Sequence, residues 1–385
     1  MEKIDSKKKS HNILNVSLIF IFSIIVVFFF VKDDFNGVVD VLSKAQWIFV
    51  VLAIGVFSFM YIFDALILFV LTRKSKKDYT FKEAILNAMV GSFFSAITPS
   101  ATGGQFAQAY VFEKQGVHIE NSGTVLILNF IAYELVLVLY CFVTILFRQG
   151  NSMNIVEIFG LKINFLTLVI IGFGINLFGI FGVIFLAYFK GVEKFVKWIC
   201  KILYKIHIVK DLEKMNRKVD HKIKKLRKEL SDIKGNLKPF IIACLLYVCR
   251  FSFYFSIPFF CALALNVKVE PIQIFTVLAL SSYISLLASF VPIPGASGGA
   301  EFFFGLVFAN FFGSKTLLAS GMLIWRFATF YFGLIIGFFV VMNFNHKRRV
   351  NIYKEVKDEY RWMVLKRKYV NNQSISNEES SNSSI

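Results

Sequence analysis

Six stretches of this chain stay apolar for roughly 20 residues or more, the length a helix needs to cross the hydrocarbon core of a bilayer. They run roughly over 13–31, 47–71, 124–147, 165–189, 239–265 and 317–342. A chain of 385 residues would ordinarily make two or three soluble domains, but 56% of this one is apolar, with 47 Phe and only 6 Pro. That composition excludes a soluble enzyme. The first run follows Lys3, Lys7, Lys8 and Lys9, yet it lacks a small-residue cleavage site and its downstream flank is acidic, so it reads as a retained helix and not a signal peptide.

Two further apolar stretches, 84–112 and 271–312, are interrupted near their middles by Pro and Gly. If each returns to the side it entered from, the six full spans place both termini on one side, and the basic residues test the arrangement. On the cytoplasmic side fall the N-terminus, 72–83, Lys114, 190–238 and everything after 342, which hold 35 of the 43 Lys and Arg. Lys32, Lys44, Arg148, Lys162, Lys268 and Lys315 fall outside, and Arg250 and Arg326 lie within apolar runs. The net charge of +18 is therefore a positive-inside signature, and nucleic acid is not the expected partner. The count fits re-entrant hairpins, and equally a pair of short full spans in one of the two stretches.

The two interruptions match. Pro99-Ser100-Ala101-Thr102-Gly103-Gly104 and Pro294-Gly295-Ala296-Ser297-Gly298-Gly299 agree at four of six positions. Each is flanked by apolar arms, the second arm ending at Gly116 or Gly313, and each is followed by a full span holding a buried ionisable residue, Glu134 or Arg326. By the sidedness count the hairpins enter from opposite faces. The expected fold class is all-α: a polytopic membrane protein of about six full spans plus two re-entrant broken-helix hairpins, about eight membrane segments, arranged as inverted repeats. That is the pattern of alternating-access transporters.

Where a helix restarts after Gly-Gly, its first N–H groups lack partners inside the helix and the dipole places partial positive charge there. Glycine lets an anion approach that backbone closely. Two such starts with Arg250 and Arg326 nearby suit a lipid phosphate, and charges inside a membrane are functional candidates by default. The candidate substrate-binding set is Pro99, Gly103, Gly104, Glu134, Arg250, Pro292, Pro294, Gly295, Gly298, Gly299, Glu301 and Arg326. The arginines could instead pair with Glu134, Glu301 or Asp64. Asp64 reads as structural, and Glu301 as a helix-start residue or as a ligand or proton handler.

Cys141, Cys200, Cys244, Cys249 and Cys261 form no CxxC pair and read as small core residues. The five histidines are scattered, so no metal site or cofactor is expected. The membrane domain is expected over 13–345 after a cytoplasmic segment 1–12, with repeat one over about 47–147 and repeat two over about 239–342. The basic loop 190–238 carries apolar residues at helical spacing from Phe195 to Ile206, which reads as a basic amphipathic helix on the cytoplasmic leaflet, and again from Leu212 to Ile233, which reads as a following helix whose apolar seam packs against another element. The tail 346–385 is basic at first and almost free of apolar residues from 371, so its end is expected to be disordered.

These residues resemble the flippase-like, lysylphosphatidylglycerol-synthase transmembrane family of prokaryotic membrane proteins, over roughly 14–345. The resemblance is most specific in Pro292-x-Pro294-Gly295-x-x-Gly298-x-x-Glu301 with Arg326 in the last long span, and it extends to Pro99-Ser100-x-x-Gly103-Gly104 and Glu134. The chain departs where the family often has an acid and then an arginine after the first Gly-Gly, since Gln105 and Gln108 stand here, and where an arginine commonly follows Glu134, since Leu135 stands here. The resemblance implies a lipid flippase domain in the plasma membrane, with anionic membrane phospholipids as partners. In full synthases that domain is fused to a soluble catalytic domain that transfers lysine from lysyl-tRNA to phosphatidylglycerol. Only 43 residues follow the last apolar run, so a non-enzymatic transporter is expected, with an aminoacyl-phospholipid synthase or a proton-coupled small-solute transporter as rivals.

Overall fold

The computed structural model describes residues 28, 32–147, 155–158, 161–188, 237–289, 291 and 293–344, with scattered positions between 197 and 220. They fall into two compact units, Met1–Ile335 and Ile336–Ile385, and the candidate residues all lie in the first. The first apolar run apart from residue 28, most of the basic loop, the tail and Pro292 lie outside the described residues.

The helices are α1 (Phe35–Ser43), α2 (Trp47–Thr72), α3 (Phe81–Ala96), α4 (Thr102–Lys114), α5 (Ile119–Phe147), α6 (Phe165–Tyr188), α7 (Leu237–Ala264), α8 (Ile274–Ala288), α9 (Gly299–Phe312) and α10 (Lys315–Arg326). After α10 the helix widens into a π turn, Phe327–Tyr331, and runs on to 344. Five segments are long and apolar enough to cross a membrane: Trp47–Thr72, Asn121–Leu146, Leu237–Ala264, Pro271–Ala288 and Lys315–Phe344. Four of these are the expected spans. The fifth, Pro271–Ala288, is the first arm of the second broken stretch, and at 18 residues it is long enough to span alone. The chain is thus an all-α polytopic membrane protein, with one departure among the described residues. Ile155–Ile158 and Leu161–Asn164 pair antiparallel, Ile155 opposite Asn164 and Ile158 opposite Leu161. Both segments are rich in Ile and Val, which suit a pleated ribbon.

Helices α2 and α7 pack along their lengths and run antiparallel, since the Gln46 N–H at the start of α2 donates to the Ala264 carbonyl at the end of α7, at 2.7 Å. The core forms around this pair: Phe57, Tyr61 and Leu68 of α2 meet Tyr247, Phe251 and Phe255 of α7 in one cluster with Tyr283 and Phe304. Helix α5 packs on α7, α8, α2 and α4. Among the cysteines, Cys141, Cys200 and Cys261 are buried as expected, whereas Cys249 is exposed.

The first hairpin, α3 and α4, is fastened at its base by polar groups. Thr80 Oγ1 accepts the Glu83 N–H at 3.3 Å and Glu83 Oε2 accepts the Thr80 N–H at 2.7 Å, the reciprocal cap that Thr-x-x-Glu predicts. Lys76 bridges Glu83 at 3.3 Å and the Gln115 carbonyl at 2.6 Å, tying the start of one arm to the end of the other. Burial by itself would raise the Glu83 carboxyl, but the Thr80 hydrogen bonds and Lys76 hold it below the ordinary carboxylate range.

Candidate functional site

The two interruptions share a backbone as well as a sequence. Thr98 and Ile293 before the prolines are extended, as the residue before proline must be (φ −120° and −108°). The two residues after each proline then turn left-handed: Ser100 at φ 50° and Ala101 at 54°, Gly295 at φ 62° and Ala296 at 49°. A hydrogen bond closes each turn, from the Ala101 N–H to the Thr98 carbonyl at 3.2 Å and from the Ala296 N–H to the Ile293 carbonyl at 2.9 Å. Left-handed backbone costs a non-glycine residue about 1–2 kcal/mol, so three such residues in two matched places mark a conformation held by its surroundings. The two turns pack against each other, and the second also touches α3.

Beyond the turns the halves diverge. Helix α4 restarts immediately at Thr102, so Gly103 and Gly104 lie in its first turn. In the second half Ser297 stays extended (φ −58°, ψ 140°) and Gly298 takes φ 85° before α9 begins at Gly299. The aligned glycines therefore have different tasks. A Cβ at Gly104 would lie 2.7 Å from the Gly91 carbonyl and closer still to Ser95 Oγ, so this glycine lets α3 and α4 touch. Gly103 backs onto Thr98, whose Oγ1 accepts the Gly103 N–H at 2.9 Å. Gly299 backs onto Val291, and Gly295 onto the ring of Phe330.

Arg326 and Glu301 form a side-on pair, Nε to Oε1 and Nη2 to Oε2, both at 2.7 Å, with side chains only 6% and 1% exposed. Glu301 Oε2 also accepts the Gly298 N–H at 2.8 Å, and Arg326 reaches the Gly295 carbonyl at 3.4 Å. One ion pair thereby fastens both the turn and the start of α9. The rings of Trp325 and Phe330 lie 5.2 Å from the guanidinium, Phe330 being delivered by the π turn.

Arg250 of α7 pairs with Asp64 of α2, Nε to Oδ1 at 2.6 Å and Nη2 to Oδ2 at 3.4 Å. Tyr133, Tyr247, Phe251 and Tyr254 surround its guanidinium at 5.5–6.0 Å. Glu134 stands apart: its Oε2 is buried and meets no hydrogen-bond partner. Pro99 and its neighbours Ser100, Ala101 and Thr102 are exposed, whereas Pro294, Gly295, Ala296 and Gly298 are half-buried and Ser297 is 1% exposed.

The structure thus brings the Pro99–Ala101 turn to the Pro294–Ala296 turn, Arg326 to Glu301 and Gly295, and Glu301 to Gly298. Arg250 is paired with Asp64. Sequence reasoning did not single out Thr98, Tyr133, Tyr247, Tyr254 or Phe330. Thr98 directly before Pro99 was a legible capping signal, and Tyr247 and Tyr254 flank Arg250 at helical spacing on its own helix. The ring of Phe330 on Gly295 had no signal, since only the π turn brings it there.

A polytopic helical membrane protein with two broken helices that meet beside a buried arginine–carboxylate pair is the class that fold and site define. The chain belongs to the family described as the lysylphosphatidylglycerol synthase TM region, whose model matches residues 13–337, and is thereby a membrane protein linked to lipid modification or transport. No curated protein matches it.

Proposed function

We propose that this protein moves an anionic or modified phospholipid between the leaflets of a prokaryotic plasma membrane, with both termini in the cytoplasm. The observation that carries the reading is the meeting of the two matched turns beside the Arg326–Glu301 pair, which holds the Gly295 carbonyl and the Gly298 N–H of the second turn. Irregular backbone at membrane depth is tolerated where it is buried in protein or lines water, and not against lipid tails. The exposed first turn, Pro99 to Thr102, therefore lines a hydrated path, while the second turn closes it. Arg250 is the cation proposed for the headgroup phosphate: its side-on pair with Asp64 uses Nε and Nη2 and leaves the Nη1 donors for a second anion. A guanidinium can serve a carboxylate on one edge and a phosphate on another, because it presents five donors in a fixed fork.

Purified protein in vesicles of phosphatidylglycerol and phosphatidylethanolamine, with trace acyl-labelled phosphatidylglycerol and a membrane-impermeant quencher, tests this. The probe is expected to exchange between leaflets far faster than in empty vesicles, and Arg250→Ala to abolish the acceleration while still inserting. Absence of acceleration for phosphatidylglycerol, cardiolipin and lysylphosphatidylglycerol probes alike would sink the reading.

A further inference from the structure

Of the three acidic residues that lie well inside the described spans and the second hairpin, two are consumed. Asp64 is held by Arg250, and Glu301 by Arg326 and the Gly298 N–H. Glu134 is the third, within the span Asn121–Leu146. Its neighbours one turn away on the same face, Ile131 and Val138, are buried apolar side chains, and its Oε2 is sealed without a donor. The asymmetry of the two halves accounts for the missing partner. Counting from the prolines, the position that holds Glu301 in the second half holds Phe106 in the first, 78% exposed, and no arginine stands in the first hairpin.

The helices packed on α5 bring Asp64 of α2 and Arg250 of α7, which are matched to each other, and Lys238, exposed in the first turn of α7. They also bring the phenols Tyr61, Tyr110, Tyr247, Tyr254 and Tyr283, and Glu113 and Lys114 lie at the far end of α4. The described side chains of α6 include no ionisable group. None of these makes a hydrogen bond or ion pair with Glu134, and its chain neighbour Tyr133 turns to the Arg250 guanidinium.

A carboxylate with one oxygen shut away from water and no cation or donor beside it is costly, and the low-cost form is the acid. The same side chain is half-buried rather than sealed throughout, so a modest rearrangement wets it. We propose that Glu134 is a proton-carrying site: its carboxylate takes a proton from water on one side, crosses the closed state as the neutral acid, and releases the proton to water on the other. Resting on the lipid-transport reading, this makes a proton gradient the driving force, with the two arginine pairs kept intact through the cycle.

Two measurements on the same vesicles test it. Infrared difference spectra over a pH titration are expected to show a carboxylic-acid carbonyl band that Glu134→Gln removes and Glu134→Asp retains. Under an imposed one-unit pH difference, one proton per lipid tilts the leaflet ratio of labelled phosphatidylglycerol about tenfold in the wild type, and Glu134→Gln leaves that ratio indifferent to the gradient. A titrating band that survives unchanged in Glu134→Gln overturns the proton site, whatever the probe does. A probe that moves in the wild type but ignores the gradient overturns the coupling. Loss of the band in the variant with no probe movement in the wild type removes the lipid reading and supports the proton site.

Discussion

Arg326 and Glu301 show how a buried ion pair acts at the scale of single residues. Each group is nearly sealed from solvent, so their mutual attraction roughly offsets what both lose by leaving water, while either one alone would be stranded. Arg326→Ala is therefore expected to cost about 3–5 kcal/mol, because it strands the Glu301 carboxylate and frees the Gly295 carbonyl. Arg326→Met combined with Glu301→Leu should recover most of that loss. Thermal unfolding in detergent measures both, and a double variant no more stable than the single one would show that the pair is not the cause. Arg326→Lys is not conservative here, since a point charge cannot reproduce the side-on fork. Both arginines could be singled out from the sequence because a cation inside an apolar run is rare. Their partners could not be chosen, since Asp64, Glu134 and Glu301 are equally acidic on paper and only the packing of α2 on α7 and of α9 on α10 selects among them.

At the scale of elements, the hairpins are held by close approach rather than by apolar bulk. Helices α3 and α4 meet through Gly91, Ser95, Gly104 and Gln108, small or polar residues that bring the backbones together, the device membrane helices use where hydrophobic drive between them is weak. Gly104→Ala would push a methyl group into Ser95 Oγ and the Gly91 carbonyl, and is expected to destabilise the protein by about 1–3 kcal/mol. Gly55→Ala on α2 meets nothing within 4 Å and should stay within about 0.5 kcal/mol. Detergent melting curves separate the two, and equal shifts would refute the close-packing account. The repeated hexapeptide was legible, and so was the break it causes. The two-residue offset was not: α4 restarts three positions after its proline and α9 five, because Glu301 reaches back to the Gly298 N–H where Phe106 has nothing to offer.

For the whole molecule, the two turns are unequally exposed, Pro99 to Thr102 at the surface and Ser297 buried, and the proposed transport path would open on the side of the first. On a Cys249→Ser background, Thr102→Cys is expected to react with a membrane-impermeant maleimide, whereas Ser297→Cys, at a position 1% exposed, is not. Equal labelling at both positions would contradict a path open on one side alone. The sequence by itself determined that the chain is a polytopic helical membrane protein, where α2, α5, α6, α7 and the last helix run, and where two helices break. Those features follow from local chemistry: about 20 apolar residues must be a span, and proline followed by glycine cannot continue a helix. Tertiary structure alone decided that the breaks meet, which carboxylate each arginine takes, that Phe330 closes on Gly295, and that Glu134 is left without a partner. Those are contacts between groups far apart in the chain, such as Asp64 and Arg250, 186 residues apart, and only the packing of whole helices against one another fixes them.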